Sequence, residues 1–377
     1  MILLTILGVI FLMAIGLKKI YVKNWNKGIT AEIELSQKEV MPGTEIILTE
    51  TITNRKWLPL PIIKVKFEVD KSFLFAESVE NTNATDKNYK SDAFSILCYQ
   101  RIIRKIPVTC TKRGYYWLES MDVVSTDIWM DSVLGSVYPI QKSITVYPES
   151  IADEEIDIVY RGIMGDVLTK QYIYDDPFEF RGIREYQSYD SMKLINWKAS
   201  AKTGEWKVNM HDYTARQEVC ILLNLESEGI WEYENLKETS ISIASALASR
   251  LSSQGIGVSI VSNAIDAMTQ QTVEIGSGSD EAHRQNVLLS LSRIDLSQKM
   301  QDFGTLLAEK IEHWNTAMMP ILISTSKKQG VQDALIELAN KTQGAFWICP
   351  LHEDMACDMS KITKEQEVKV MRWEVQR

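Results

Sequence analysis

Residues 218–225 read EVCILLNL, an apolar run whose only polar members are Glu218 and Asn224. A strand with one wet face alternates apolar and polar residues. An unbroken run of this length requires cover on both faces, as in a parallel sheet flanked by helices. The chain beyond it supplies that cover. Helical spacing over Glu234–Gln254 puts Leu236, Ile243, Leu247 and Leu251 on one face, Gly255 and Gly257 bracket the helix end, and Ile256–Val261 is a second strand. Helical stretches follow over 280–294 and 300–314. A third apolar strand begins at Pro320–Ser324, a helix over Val331–Thr342 stops at Gly344, and Ala345–Cys349 is a fourth strand. Strand–helix repetition over residues 215–377 predicts an α/β domain with a parallel sheet and helices on both faces. Ligands of such sheets bind beyond the carboxyl ends of the strands, here 224–228, 262–266 and 324–328.

Toward the amino terminus the period changes to two. Ile63, Val65, Phe67 and Val69 alternate with Lys64, Lys66 and Glu68, and Ile46, Leu48 and Ile52 sit beside Thr49, Thr51 and Thr53. Such alternation marks strands with one buried face. Turn signals recur at Pro42-Gly43, Asn54, Pro59, Pro61 and Arg113-Gly114. Residues 29–150 therefore read as an immunoglobulin-like β-sandwich, with 81–92 an exposed loop. No catalytic constellation occurs in this part.

The first 22 residues read as a membrane anchor. No charged side chain occurs between Met1 and Leu17, while Lys18, Lys19, Lys23 and Lys27 all follow the apolar run. That charge order places the carboxyl side in the cytoplasm, so the expectation is a single-pass protein of the cell membrane with its bulk cytoplasmic. Trp25 suits an interfacial aromatic. A buried core helix and an export signal are the alternatives.

Composition narrows the function. Lys+Arg number 41 against 50 Asp+Glu, a net charge of −9, which argues against a general nucleic-acid coat. Hydrophobic residues at 45% and charged residues at 24% place the chain among globular proteins. Five scattered cysteines argue against a disulfide-stapled secreted scaffold. No phosphate-binding G-x-x-x-x-G-K-[ST] loop occurs. Gly276–Asp280 reads as a turn with Ser279 capping the next helix. Cys349, His352 and Cys357 have spacing for part of a zinc site, without an evident fourth ligand.

Between the domains, residues 151–214 hold the most distinctive stretch, DDPFEFRGIREYQSYDSMKLINWKASAKTGEWKV from Asp175 to Val208. Arg181, Arg184, Lys193, Lys198 and Lys202 mingle there with Asp175, Asp176, Glu179, Glu185 and Asp190, without helical or strand periodicity. Three readings stand: a salt-bridged linker, a docking surface rich in Arg, Tyr and Trp, and a catalytic carboxylate pair drawn from Asp175, Asp176, Glu185 and Asp190.

Arg184-Glu185-Tyr186, Tyr189-Asp190, Ile195-Asn196-Trp197 and Ser200-Ala201-Lys202 resemble, in order and spacing, the signature of the bacterial domain-of-unknown-function fifty-eight family. Tyr189 and Lys202 depart from the Gly and Arg common in that family. Arg113-Gly114-Tyr115 and Thr145-Val146-Tyr147-Pro148 extend the resemblance upstream. It implies a von Willebrand factor A-like carboxyl domain, in which a cation site uses Asp-x-Ser-x-Ser after the first strand. The matching positions are Asn224, Glu226 and Glu228. They leave a divalent cation and a metal-free loop both open. The resemblance further implies a non-enzymatic adaptor for a MoxR-type AAA+ ATPase, alongside a transglutaminase-like membrane protein. Arg184, Glu185, Tyr186, Asp190, Trp197 and Lys202 would form its binding surface. The alternatives are a carboxylate-dependent hydrolase and an extracytoplasmic adhesion or ligand-binding protein.

Overall fold

The computed structural model describes residues 2–75, 87–127, 129–171, 180–187, 190–211, 218–227, 233–342, 344–353, 355 and 368–375. The chain divides between Glu149 and Ser150 into two units. The first opens with helix α1 (Ile2–Asn24) and continues through β1 (Ile29–Leu35), β2 (Glu39–Val40), β3 (Glu45–Asn54), β4 (Leu60–Asp70), β5 (Phe73–Phe75), β6 (Lys87–Ile96), β7 (Arg101–Cys110), β8 (Gly114–Thr126) and β9 (Val133–Val146). Two sheets form, β1-β3-β7-β5 and β2-β9-β8-β4-β6. Ile33, Ile46, Ile52 and Val108 of the first share one core with Ile63, Val65, Phe67, Val123 and Ile144 of the second. This is a β-sandwich, as the period-two pattern predicts, and Lys64 and Lys66 point to solvent between the buried residues of β4. Residues 87–92, expected in a loop, instead begin β6. A polar composition is compatible with an edge strand because one of its edges stays wet.

The sandwich core also contains charge. Glu50 lies on the buried face of β3, and Arg104 of β7 is its cross-strand partner. The Arg104 guanidinium lies 2.9 Å from Asp92 of the other sheet and 3.7 Å from Glu50, over the Phe94 ring. One cation thus ties the two sheets together. At the Arg113-Gly114 turn, a Cβ on Gly114 would lie 2.8 Å from Tyr116 Cζ, so the ring packs where only glycine leaves space.

Helix α1 is long and apolar enough to cross a membrane, and its side chains from Thr5 to Leu17 are mostly exposed. Its last two turns dock on the sandwich. The Tyr21 hydroxyl donates to Pro59 O or Thr126 O, and Lys56 Nζ donates to the Asn24 and Trp25 carbonyls at the helix end. Burial pulls the Lys56 ammonium down to about 8. Trp25, expected at a membrane interface, is instead buried in the sandwich core.

The second unit contains α2 (Asp153–Gln171), β10 (Phe180–Glu185), a 3-10 turn (Met192–Leu194), α3 (Trp197–Thr203) and β11 (Lys207–His211). Then follow β12 (Glu218–Asn224), α4 (Glu234–Ser253), β13 (Gly257–Asp266), β14 (Thr272–Gly278), α5 (Glu281–Ser292), β15 (Ile294–Asp295), α6 (Phe303–Glu312), β16 (Met318–Ser324), α7 (Gln329–Thr342), β17 (Ala345–Leu351) and β18 (Val368–Glu374). The main sheet runs β14-β13-β12-β16-β17-β18, with β15 beside β13. Numbered from β12 the order is 3-2-1-4-5-6, doubly wound, with the edge strand β14 antiparallel. Val219, Ile221 and Leu223 of β12 face α4 and α5, while Cys220 and Leu222 face α6 and α7. That two-sided burial is why the run at 218–225 shows no alternation.

Three features of this unit differ from the sequence expectations. The start of the presumed linker is α2, whose Ile156, Val159 and Ile163 complete the core beside α4, with Asp157 2.8 Å from Arg250. Strands β14 and β18 extend the four expected strands at both edges. Gly276–Gly278 belong to β14 instead of a turn, and the cap of α5 is Asp280, which accepts from His283 N, not Ser279.

Candidate functional site

Residues 180–211 form a small module of their own within the second unit. Strands β10 and β11 pair antiparallel, and the 3-10 turn and α3 fill the connection. Ile195 and Val208 bridge and are buried beneath it. Asn196 caps α3 by accepting from Ala199 N, and its amide donates to Asn209 Oδ1 at 2.7 Å. The Ser200 hydroxyl accepts from Lys207 N and donates to Asn196 O. Gly204 ends the helix at φ +76°, a left-handed conformation that favours glycine. Ile195, Asn196 and Ser200 are therefore the parts of the signature that fold the module.

The charged residues close it. Arg184 holds Asp190 bidentately, at 2.6 Å for each nitrogen–oxygen pair, and Gln187 N donates to the same carboxylate at 2.8 Å. The guanidinium, foremost, holds the Asp190 carboxyl below its ordinary range. Glu185 is exposed and lies 3.3 Å from Lys207 Nζ, which also meets Glu205 at 3.2 Å. Those two carboxylates hold the Lys207 ammonium above its ordinary value, with Glu205 the stronger influence. A carboxylate saturated by one guanidinium and one backbone N–H is a poor proton acceptor, so Asp190 does not suit general-base chemistry. Lys202 is exposed in the last turn of α3. Asp175 and Asp176 lie outside the described residues.

What the module presents outward is aromatic. The Tyr186 and Trp206 rings lie 5.5 Å apart, and Trp206 and Trp197 lie 6.1 Å apart, both pairs tilted by 57°. Trp197 is 65% exposed and Trp206 is 50% exposed, with Ile183 and Met192 also at the surface. Isolated exposed apolar residues are ordinary, but three touching aromatic rings on one small module form a patch. The signature marks Tyr186 and Trp197. It does not mark Trp206, which the β10–β11 pairing sets beside Tyr186 and the Ile195–Val208 bridge sets beside Trp197.

The second candidate lies at the switch point of the main sheet, where the chain leaves β12 one way and β16 the other. Asn224 Oδ1 accepts from Asn263 Nδ2 and Glu226 N, and Asn224 Nδ2 donates to Ser324 Oγ. Asn263 Oδ1 accepts from Leu225 N, and Ser324 Oγ accepts from Ser326 N. Glu226 Oε1 is 3.2 Å from Lys328 Nζ, whereas Glu226 Oε2 and the Ser227 hydroxyl are buried without a hydrogen-bond partner. Glu228 lies outside the described residues. A divalent cation needs several hard oxygen ligands. Here the central amide oxygen already accepts two hydrogen bonds, and an ammonium sits on the one carboxylate. The residues present do not fit a divalent cation, and no group of three or more His, Cys, Asp or Glu among the described residues could hold one. The zinc idea fares no better. Cys349 is buried in the core, both ring nitrogens of His352 are engaged by Asn235 and Val375 O, and Cys357 lies outside the described residues.

No family model matches the chain, and no curated protein sequence does. Solved structures resemble about a third of it. A CARDB domain from Pyrococcus furiosus, crystallised with di-metal ions, is 14% identical over 31% of this chain and 91% of its own, with a TM-score of 0.21. A non-cellulosomal cohesin from Archaeoglobus fulgidus is 14% identical over 35% of this chain and 97% of its own, at 0.23. Native alpha-2-macroglobulin from Escherichia coli is 17% identical over 32% of this chain and 16% of its own, at 0.24. Likeness at this level does not define the fold of the chain.

Proposed function

We propose that the protein is a membrane-anchored, cytoplasm-facing adaptor that docks a protein partner through the aromatic face of residues 180–211. The observation that carries this reading is the contact of Tyr186, Trp206 and Trp197 at an exposed surface on a module stiffened by the Arg184–Asp190 pair. Rigid aromatic side chains give large contact area at small entropic cost, which is why Trp, Tyr and Arg dominate binding hot spots. The uncharged run at the start of α1, followed by Lys18, Lys19, Lys23 and Lys27, supports the anchor and its orientation. The doubly wound order with one antiparallel edge strand supports a von Willebrand factor A-like reading of the second unit, with its cation position replaced by the Asn224–Asn263–Ser324 network. The signature resemblance supports membership of the domain-of-unknown-function fifty-eight family. From that membership follow a MoxR-type AAA+ ATPase as the partner and a transglutaminase-like membrane protein as a neighbour in the assembly.

The test is an affinity pull-down of the tagged full-length protein from gently solubilised membranes, with and without ATP and magnesium. Wild type is compared with a Trp197→Ala/Trp206→Ala variant whose circular dichroism matches wild type. Each anchor contributes about 2 kcal/mol, roughly 30-fold in affinity, so the variant loses the ATPase. An ATPase retained equally by both proteins places docking elsewhere. No ATPase in either sample removes the proposed partner.

A further inference from the structure

We propose that the described residues of the β8–β9 turn, 127 and 129–132, with Val133 at the start of β9, are a second membrane contact that lies in the bilayer interface beside α1. The inference rests on the reading of α1 as a membrane span. Three contacts fix the sandwich along the helix. Lys56 reaches the Asn24 and Trp25 carbonyls, the Tyr21 hydroxyl reaches Pro59 and Thr126, and Lys18 Nζ lies 2.7 Å from Asp131 Oδ2 and 3.6 Å from Asp127. Along α1 these levels approach the apolar run in order, and the turn holding Asp127 and Asp131 reaches furthest toward it. Lys18 directly follows Leu17, the last residue of the uncharged run, and at about 1.5 Å of rise per residue the two lie at nearly the same depth. The turn therefore stands where hydrocarbon meets headgroups.

The side chains of the turn suit that position. Trp129 is 46% exposed, Met130 is 61% exposed and Val133 is 76% exposed. Tryptophan is enriched at membrane interfaces because an apolar ring and a polar N–H suit the two sides of the boundary. The turn is also rigidly built. Met130 N donates to Asp127 O, and Asp131 N donates to Asp127 Oδ1 at 3.0 Å. Met130 adopts φ +59°, an uncommon conformation for a residue with a side chain. Lys18 pairs with Asp131 and, at longer range, Asp127, and it holds the Asp131 carboxyl below its ordinary range. A compensated lysine is compatible with the edge of the hydrocarbon, where an isolated one would have to snorkel. Lys19, Lys23 and Lys27 are exposed just beyond and suit anionic headgroups. Together the helix and the turn form two attachment points, which would keep the sandwich from swinging freely about a single span.

Depth-dependent fluorescence quenching tests this on the full-length protein in lipid vesicles. In a Cys98→Ser/Cys357→Ser background, whose remaining Cys110, Cys220 and Cys349 are buried, one added cysteine at a time carries an environment-sensitive nitrobenzoxadiazole label, at Val133→Cys, at Phe11→Cys within the span, or at Gln37→Cys. Gln37 is exposed near β2, which pairs with the far end of β9, roughly 40 Å from Val133 at about 3.3 Å per residue. The expected result is blue-shifted emission at 133 with quenching by headgroup-level nitroxide lipids at least threefold stronger than at 37. The label at 11 should be quenched best by deep nitroxides. Emission and quenching at 133 equal to those at 37, with 11 still quenched from the bilayer centre, overturn the inference and leave the span intact. A label at 11 that no lipid quenches overturns both the span and the inference.

Discussion

Strands β4 and β12 each have a neighbour on both sides in their sheets, yet their sequences look nothing alike. On β4, Ile63, Val65, Phe67 and Val69 face the sandwich core while Lys64 and Lys66 face water. On β12 every residue from Val219 to Asn224 is buried, Val219, Ile221 and Leu223 against α2, α4 and α5, and Cys220 and Leu222 against α6 and α7. The alternation of a strand reports how many of its faces are covered, not how central it is. Two sheets that shield each other leave their outer faces wet. A sheet wrapped by helices has no wet face. Among the fully buried residues of β12 the one polar side chain is Asn224, at the carboxyl end, where Asn263 and Ser324 hold it.

The contrast can be broken by neighbouring truncations. Ile221→Ala and Leu222→Ala should each cost about 2–5 kcal/mol, because each empties a different core. On β4, Ile63→Ala should cost a similar amount and Lys64→Ala less than about 0.5 kcal/mol. Denaturant unfolding of the four variants in detergent measures this. An asymmetric pair on β12, or a symmetric pair on β4, would contradict the assignment of faces.

A smaller effect is expected at the module of residues 180–211, which has little apolar core and relies on charge. Asp190 has a folded pKa below the unfolded value of about 4. The sign follows: its contribution is fully present above the unfolded value and is lost as pH falls through the folded one. The indole NMR signals of Trp197 and Trp206 should hold steady between about pH 5 and 8 and shift only below about pH 4. In an Asp190→Asn variant that transition should disappear. A transition unchanged in the variant would assign it to another carboxylate.

Much of this architecture can be read in the sequence. Periodicity gives the sandwich, the apolar helix and four strands of the α/β sheet because each depends on which faces a segment buries. Edge strands are harder to read. Val273 and Ile275 of β14 alternate over few residues, and β18 carries Lys369 and Arg372 among its apolar positions. Helix α2 begins with Asp153, Glu154 and Glu155, and its mixed composition hides the stripe of Ile156, Val159 and Ile163. In the candidate site, residue types suggested an ion-paired and aromatic surface. The partners themselves required tertiary pairing: Arg184 meets Asp190 across a turn, and Trp206 meets Tyr186 across the β10–β11 pair and Trp197 at the start of α3. Trp25 shows the reverse case, an aromatic suited to an interface by position but drawn into the sandwich core by the end of α1.

On the proposed function, the aromatic face of residues 180–211 touches a partner in the membrane-bound protein. Site-specific photo-crosslinking tests it most directly, with benzoylphenylalanine in place of Trp206 and, as a control, in place of Glu68 on the sandwich. Irradiation of intact membranes should give an adduct at 206 that contains an AAA+ ATPase, and none at 68. Adducts of equal yield at both positions, or none at 206 in a protein shown to be folded, would contradict it.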